Sequence, residues 1–121
     1  MYKLVILIEP QQDWQEFEQA WPKFLKLAEK MPSLIRETTS PVDRLLHGHY
    51  HVAMIHELYF ESLQAAQDAM ASPAGEEAGK TLQTITVGKV TLLFAEHLED
   101  ELKNIQAHQS QDDSSETGEN A

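Results

Sequence analysis

The sequence predicts an α+β domain in the order strand, helix, strand, strand, helix, strand, with a four-stranded antiparallel sheet and its helices on one face. Three observations carry this. Leu4 to Ile8 is an unbroken aliphatic run, as expected of a central strand covered on both sides. Trp14, Phe17, Trp21, Phe24, Ala28 and Met31 recur every three or four residues, the spacing of one helix face. From His49 to Phe60 the side chains alternate, sending His51, Ala53, Ile55, Glu57 and Tyr59 to one side and Val52, Met54, His56, Leu58 and Phe60 to the other.

Each element has its own local cause. Pro10 ends the first strand, and Asp13 and Glu16 then stand at capping-box spacing before the first aromatic stripe. Pro22 lies inside that helix, which predicts a kink or break near Trp21, and Pro32 is expected to close it. Leu34 to Thr39, between two proline-containing turns, reads as the second strand. His47 to Phe60 reads as a loop tip running into one long third strand. Ser62 is placed to cap a helix through Leu63, Ala66, Ala69 and Met70. Ser72-Pro73 restarts the chain as a weaker helix reaching about Thr84, since Gly75 and Gly79 interrupt it. Val87 to His97 is the fourth strand, and Leu98, Leu102 and Ile105 are spaced for a last amphipathic turn. The domain is therefore drawn over residues 1–106. Residues 107–121 are polar and acidic, a composition expected of a disordered tail.

This order is that of a ferredoxin-like domain. Two helical segments cover one face of such a sheet, yet Ile55, Tyr59 and Leu93 fall on the other. A second copy of the chain, face to face in a dimeric α+β barrel, is the economical cover.

Composition limits the function. The formal net charge of −11, with nine scattered Lys and Arg, argues against nucleic acid phosphate or an anionic membrane as partner. There is no cysteine, hence no disulfide framework or thiolate chemistry, which fits a cytoplasmic location. The apolar run near Met1 is too short to span a bilayer and reads as a strand. Lys80 follows Gly79 without the rest of a phosphate loop, and no serine-hydrolase elbow, zincin helix or dinucleotide fingerprint occurs, so no cofactor is expected.

Candidate site residues come mainly from the third strand. Glu57, beside Tyr59 in an apolar cavity, is the candidate general base, because burial would raise its pKa; the alternative is a carboxylate paired with Lys or Arg. His51, Thr91 and His97 share its face, and Trp21 is a candidate aromatic lid or core residue. His56 faces the helices and reads as a buried, satisfied imidazole. If the strand begins at the loop, His47, His49 and His51 project together as an alternative metal site. Glu57 lies about 20 Å along the strand from His51, too far to join it.

Phe17, Trp21 and Met31-Pro32-Ser33-Leu34 resemble the Phe, Trp and Leu-Pro-Gly-Leu pattern of EthD-like proteins, of the dimeric α+β barrel superfamily. Glu57-Leu58-Tyr59-Phe60, Ser62-Leu63 and Ala71-Ser72-Pro73 resemble that family's strand end and helix restart. The resemblance spans roughly residues 1 to 98. It implies a homodimer with a cavity for a hydrophobic small molecule, as in the oxygenases, isomerases and cyclases of the superfamily, and a pocket rather than a particular reaction. The chain departs from the pattern where the family commonly has a helix His and a Pro, at Phe24 and Leu27, and in the neighbourhood of Gly79-Lys80-Thr81, where the family's Asp after the Ser-Pro is missing. Two expectations follow: a barrel dimer that binds a small, largely apolar organic molecule, or a non-catalytic accessory dimer that uses the sheet face only for assembly.

Overall fold

The computed structural model describes residues 1–102. Its elements are β1 (Tyr2–Ile8), α1 (Trp14–Ala28), β2 (Arg36–Pro41), β3 (Met54–Phe60), α2 (Leu63–Ala71), α3 (Pro73–Thr86) and β4 (Val90–Glu96). The sheet order is β2-β3-β1-β4, and every neighbouring pair is antiparallel. This is the predicted ferredoxin-like arrangement, with the aliphatic β1 inside the sheet.

Directly opposed residues share a face, so the register fixes two surfaces. Leu4, Ile6 and Ile8 lie level with Leu58, His56 and Met54 on one side of β1, and with Phe94, Leu92 and Val90 on the other. This face meets the helices, and the buried core joins it to Phe17, Phe24, Ala28, Ala66, Ala69, Ala78 and Leu82. The opposite face carries Lys3, Val5 and Leu7 beside Glu57, Tyr59 and Ile55, with Leu93, Thr91 and Ala95 on β4 and Arg36, Thr38 and Ser40 on β2. No helix covers it.

The helix caps follow the sequence. Asp13 accepts from the Glu16 amide at 3.0 Å, Ser62 from the Ala65 amide at 3.1 Å and Ser72 from the Gly75 amide at 3.1 Å. Pro22 does not break α1, which runs unbroken through it on its exposed side. The helix stops at Ala28, before Pro32, and Met31 completes the apolar stripe from the following turn by bonding its amide to the Ala28 carbonyl. Gly75 is required where α2 turns into α3, since a Cβ there would lie 2.1 Å from the Ala69 carbonyl oxygen. Val87 and Gly88 end α3 with positive φ angles of 54° and 74°.

The third strand is shorter than expected. Residues 42–53 form a loop, bridged at its base by the Val42 amide to the Ala53 carbonyl at 2.9 Å, with the Ala53 amide bonding Ile8 at 2.7 Å. His47, His49 and His51 are exposed in this loop, and Gly48 turns it with φ 110°. The common face inferred for the three histidines therefore does not exist. Leu98 and Leu102 are exposed; Ile105, the 106/107 boundary and the acidic tail lie outside the described residues. No helix among the described residues is long and apolar enough to cross a membrane.

Candidate functional site

The open face of the sheet is built around Glu57. Thr38 stands directly opposite it on β2, Tyr59 is the next residue on the same face of β3, and Lys3 stands opposite Tyr59 on β1. All three reach its carboxylate. Oε1 accepts from the Tyr59 hydroxyl at 2.9 Å and from Thr38 Oγ1 at 3.3 Å, while Oε2 pairs with Lys3 Nζ at 2.8 Å. Burial raises the pKa of Glu57, but the hydrogen bonds from Lys3, Tyr59 and Thr38 and the Lys3 charge outweigh it, leaving the carboxyl below its ordinary value. The expected upward shift of a general base is thus reversed in this chain. Glu57 is a fixed carboxylate whose oxygens are already engaged.

Tyr59 is the second centre. Only 4% of it is exposed, because the Arg36 guanidinium lies over its ring at 4.2 Å from the centroid and His97 meets it edge-on at 4.9 Å. His97 is fixed in turn by its amide, which bonds the Met1 carbonyl at 2.8 Å, and by its ring, which bonds Glu99 at 2.6 Å. The network thus occupies one end of the face. Val5, Leu7, Ile55 and Leu93 form an apolar floor beside it, and Leu93 is 41% exposed. At the far end Thr91 is held by the Tyr50 hydroxyl at 3.0 Å, which brings the 42–53 loop across to β4.

The predicted site residues therefore separate. Glu57, Tyr59 and His97 come together, and Thr91 shares their face at its other end. His51 stays in the loop. Trp21 lies on the helix side of the sheet, edge to the His56 ring at 5.1 Å. Among the described residues no group of three or more His, Cys, Asp or Glu side chains could hold a metal ion, so the His47, His49 and His51 alternative has no assembled site there. Lys3, Arg36 and Thr38 were not foreseen. A hint was present in Lys3, the one charged residue on the face of β1 that also carries Val5 and Leu7.

His56 is fully buried, as expected, but only half satisfied. Its Nδ1 lies 2.8 Å from Thr39 Oγ1, whereas Nε2 has no hydrogen-bond partner and sits 3.5 Å from Glu37 Oε1. Burial pushes its pKa down to about 4, against the opposing pull of the Glu57 charge. Burial, helped by the Glu29 charge, pushes Glu37 up.

Together the fold and this face define a ferredoxin-like sheet protein with one helix-covered surface and one open, part-apolar surface. No family model matches the chain. Over 97 residues, 79% of this chain and 94% of the other, it is 30% identical to an uncharacterised 11.0 kDa protein in the thcB-thcC intergenic region of Rhodococcus erythropolis. The two belong to one family. Among solved structures, an ethyl tert-butyl ether D (EthD) family protein from Bacillus halodurans superposes with a TM-score of 0.75 at 24% identity, covering 81% of this chain and 99% of that one. A dimeric ferredoxin-like protein of unknown function from Jannaschia matches with a TM-score of 0.61 at 15% identity, covering 79% and 98%. The chain is EthD-like in fold, as its motifs suggested.

Proposed function

We propose that the chain acts as a homodimer whose two open faces meet and enclose a small, largely apolar organic molecule. The observation that carries this reading is the make-up of the face itself, an apolar floor of Val5, Leu7, Ile55 and Leu93 ending in a preorganised polar group. Few polar groups converging on an apolar hollow is the usual composition of a small-molecule site. The dimeric state of the Jannaschia structure supports the pairing. In this reading Glu57 and Tyr59 orient the ligand, with Thr91 and His97 at the two ends, and Glu57 does not abstract a proton. A cytoplasmic setting is part of the proposal, supported by the lack of cysteine.

One observation favours a second reading, in which the face serves only assembly. Both Glu57 oxygens are already engaged within the chain, as they would be in a purely structural network.

An apolar fluorescent dye, 8-anilinonaphthalene-1-sulfonate, separates the two. With a cavity, the untagged dimer takes up the dye saturably, and Glu57→Gln weakens uptake about tenfold by loosening Lys3 and Tyr59, a change of about 1.4 kcal/mol. A dimer that excludes the dye has its faces packed solid, and the accessory reading then stands.

A further inference from the structure

The polar end of the open face holds two sets of basic side chains. Lys3 is met within the sheet by Glu57, at 2.8 Å. Arg36 and His97 are met from outside it, by Glu99 beyond the end of β4, whose Oε1 lies 2.6 Å from His97 Nε2 and 3.6 Å from Arg36 Nη2. The two donors are firmly held. Arg36 stands opposite Tyr59 in the β2–β3 ladder, and its guanidinium rests on the Tyr59 ring. His97 is anchored through its amide to the Met1 carbonyl and through its ring edge to Tyr59, and its side chain is 16% exposed. The carboxylate is not. Glu99 lies in a stretch without regular structure, and its side chain is 71% exposed.

An ion pair so open to water adds little stability, because water and salt compete for it. Fixed donors closed on a loosely held carboxylate have the form of an anion site with a stand-in from the same chain. Its position gives the rest of the ligand. Rows of residues on one face of a sheet follow one another at about 7 Å. The row of Arg36, Tyr59 and Lys3 is followed by that of Val5 and Leu93, and then by that of Leu7 and Ile55. An anionic group held between Arg36 and His97 thus has its apolar body over this floor, which one or two fused rings would span. The chain's net charge of −11 gives it no general attraction for anions, so the choice of an acid rests on these two side chains.

We propose that the ligand of the open face is a compact apolar carboxylic acid, whose carboxylate replaces that of Glu99 between Arg36 and His97 while its body lies on the Val5 and Leu93 floor. This rests on the reading of the open face as a ligand cavity and adds the chemical class of what enters it. Glu99 is then a stand-in that leaves when the acid binds.

The probes are 2-naphthoate and 2-naphthylmethanol, alike in shape and different in charge, titrated calorimetrically into the full chain at pH 7. The acid should bind at least tenfold more tightly than the alcohol. Glu99→Ala, which removes the stand-in, should tighten the acid severalfold and leave the alcohol unchanged. Arg36→Met keeps an apolar stem over Tyr59 and should abolish the preference without weakening the alcohol. Equal affinities, a preference that survives Arg36→Met, or weaker binding of the acid in Glu99→Ala would overturn the assignment. If Arg36→Met does not fold, Glu99→Ala decides by itself. Uptake of 8-anilinonaphthalene-1-sulfonate without a preference for naphthoate sinks the acid alone, whereas exclusion of the dye and both naphthyl probes sinks the cavity with it.

Discussion

At the scale of single residues, the two faces of β3 set two ionisable neighbours to opposite charge states. Glu57 gains three partners for its charged form and stays ionised, while His56 loses water without gaining a full set of bonds and stays neutral. The consequence for stability has a definite sign. The folded pKa of His56, about 4, lies below the value of about 6.5 for an unfolded histidine. Between these values the unfolded chain binds more protons, so stability falls as the pH drops from 6.5 towards 4 and is fully present above 6.5. At about 1.36 kcal/mol per unit the loss is on the order of 3 kcal/mol. Glu57 adds to it below its ordinary pKa, since its stabilisation vanishes as the carboxylate is protonated. Glu37 works the other way, because its raised pKa weakens the fold as the pH rises above the ordinary carboxylate value. Denaturant unfolding at pH 7 and at pH 4.5 should show the net loss, and His56→Gln should flatten it. An unchanged slope in that variant would assign the acid sensitivity elsewhere.

At the scale of elements, tight junctions do as much as long stripes. The turn from α2 to α3 holds Ser72, whose hydroxyl bonds the Ala69 carbonyl at 2.6 Å while accepting from the Gly75 amide. Gly75 passes so close to the end of α2 that a methyl group would meet Ala69 O at 2.1 Å and Met70 O at 2.6 Å. Both obstacles are backbone, so the helices would have to part. Gly75→Ala should therefore cost about 1–3 kcal/mol despite the better helix propensity of alanine, read as a lower denaturation midpoint. Gly79, with nothing within 4 Å of its missing Cβ, should tolerate the same change.

The contrast also shows what was legible in the sequence. Caps, face assignments and the order of elements along the chain came from local chemistry and period. Gly75 looked like a weak point in a helix because the neighbour that requires it belongs to another helix. The alternation through His49, Tyr50, His51 and Val52 imitated a strand, yet a ladder needs a partner, and opposite Met54 the sheet already ends at Ile8. The site divided in the same way. Glu57 and Tyr59 could be placed on one face by alternation alone, whereas Thr38 opposite Glu57 and Thr39 opposite His56 depend on the register of β2, which no local pattern encodes.

At the scale of the whole molecule, the open face poses an energetic problem that the single chain does not solve. A chain of 121 residues is near the size where one core is only marginally sufficient, and here the core occupies one side of the sheet. Leu93 stands 41% exposed beside Val5, which is itself 8% exposed. Closing this surface against a second copy would bury Leu93 without new secondary structure, and the self-complementary contact of a two-fold dimer needs only one such face. Folding coupled to pairing makes Tm depend on protein concentration. The wild-type Tm should therefore rise on concentration, and sedimentation should report a dimer. Leu93→Lys would place an ammonium group in the middle of the closed surface, where an unpaired buried charge costs several kcal/mol. That variant should sediment as a monomer with its helical signal retained and a Tm independent of concentration. A Leu93→Lys protein that remains dimeric would show that the copies meet elsewhere, and the face around Glu57 would then be open to solvent in the working molecule.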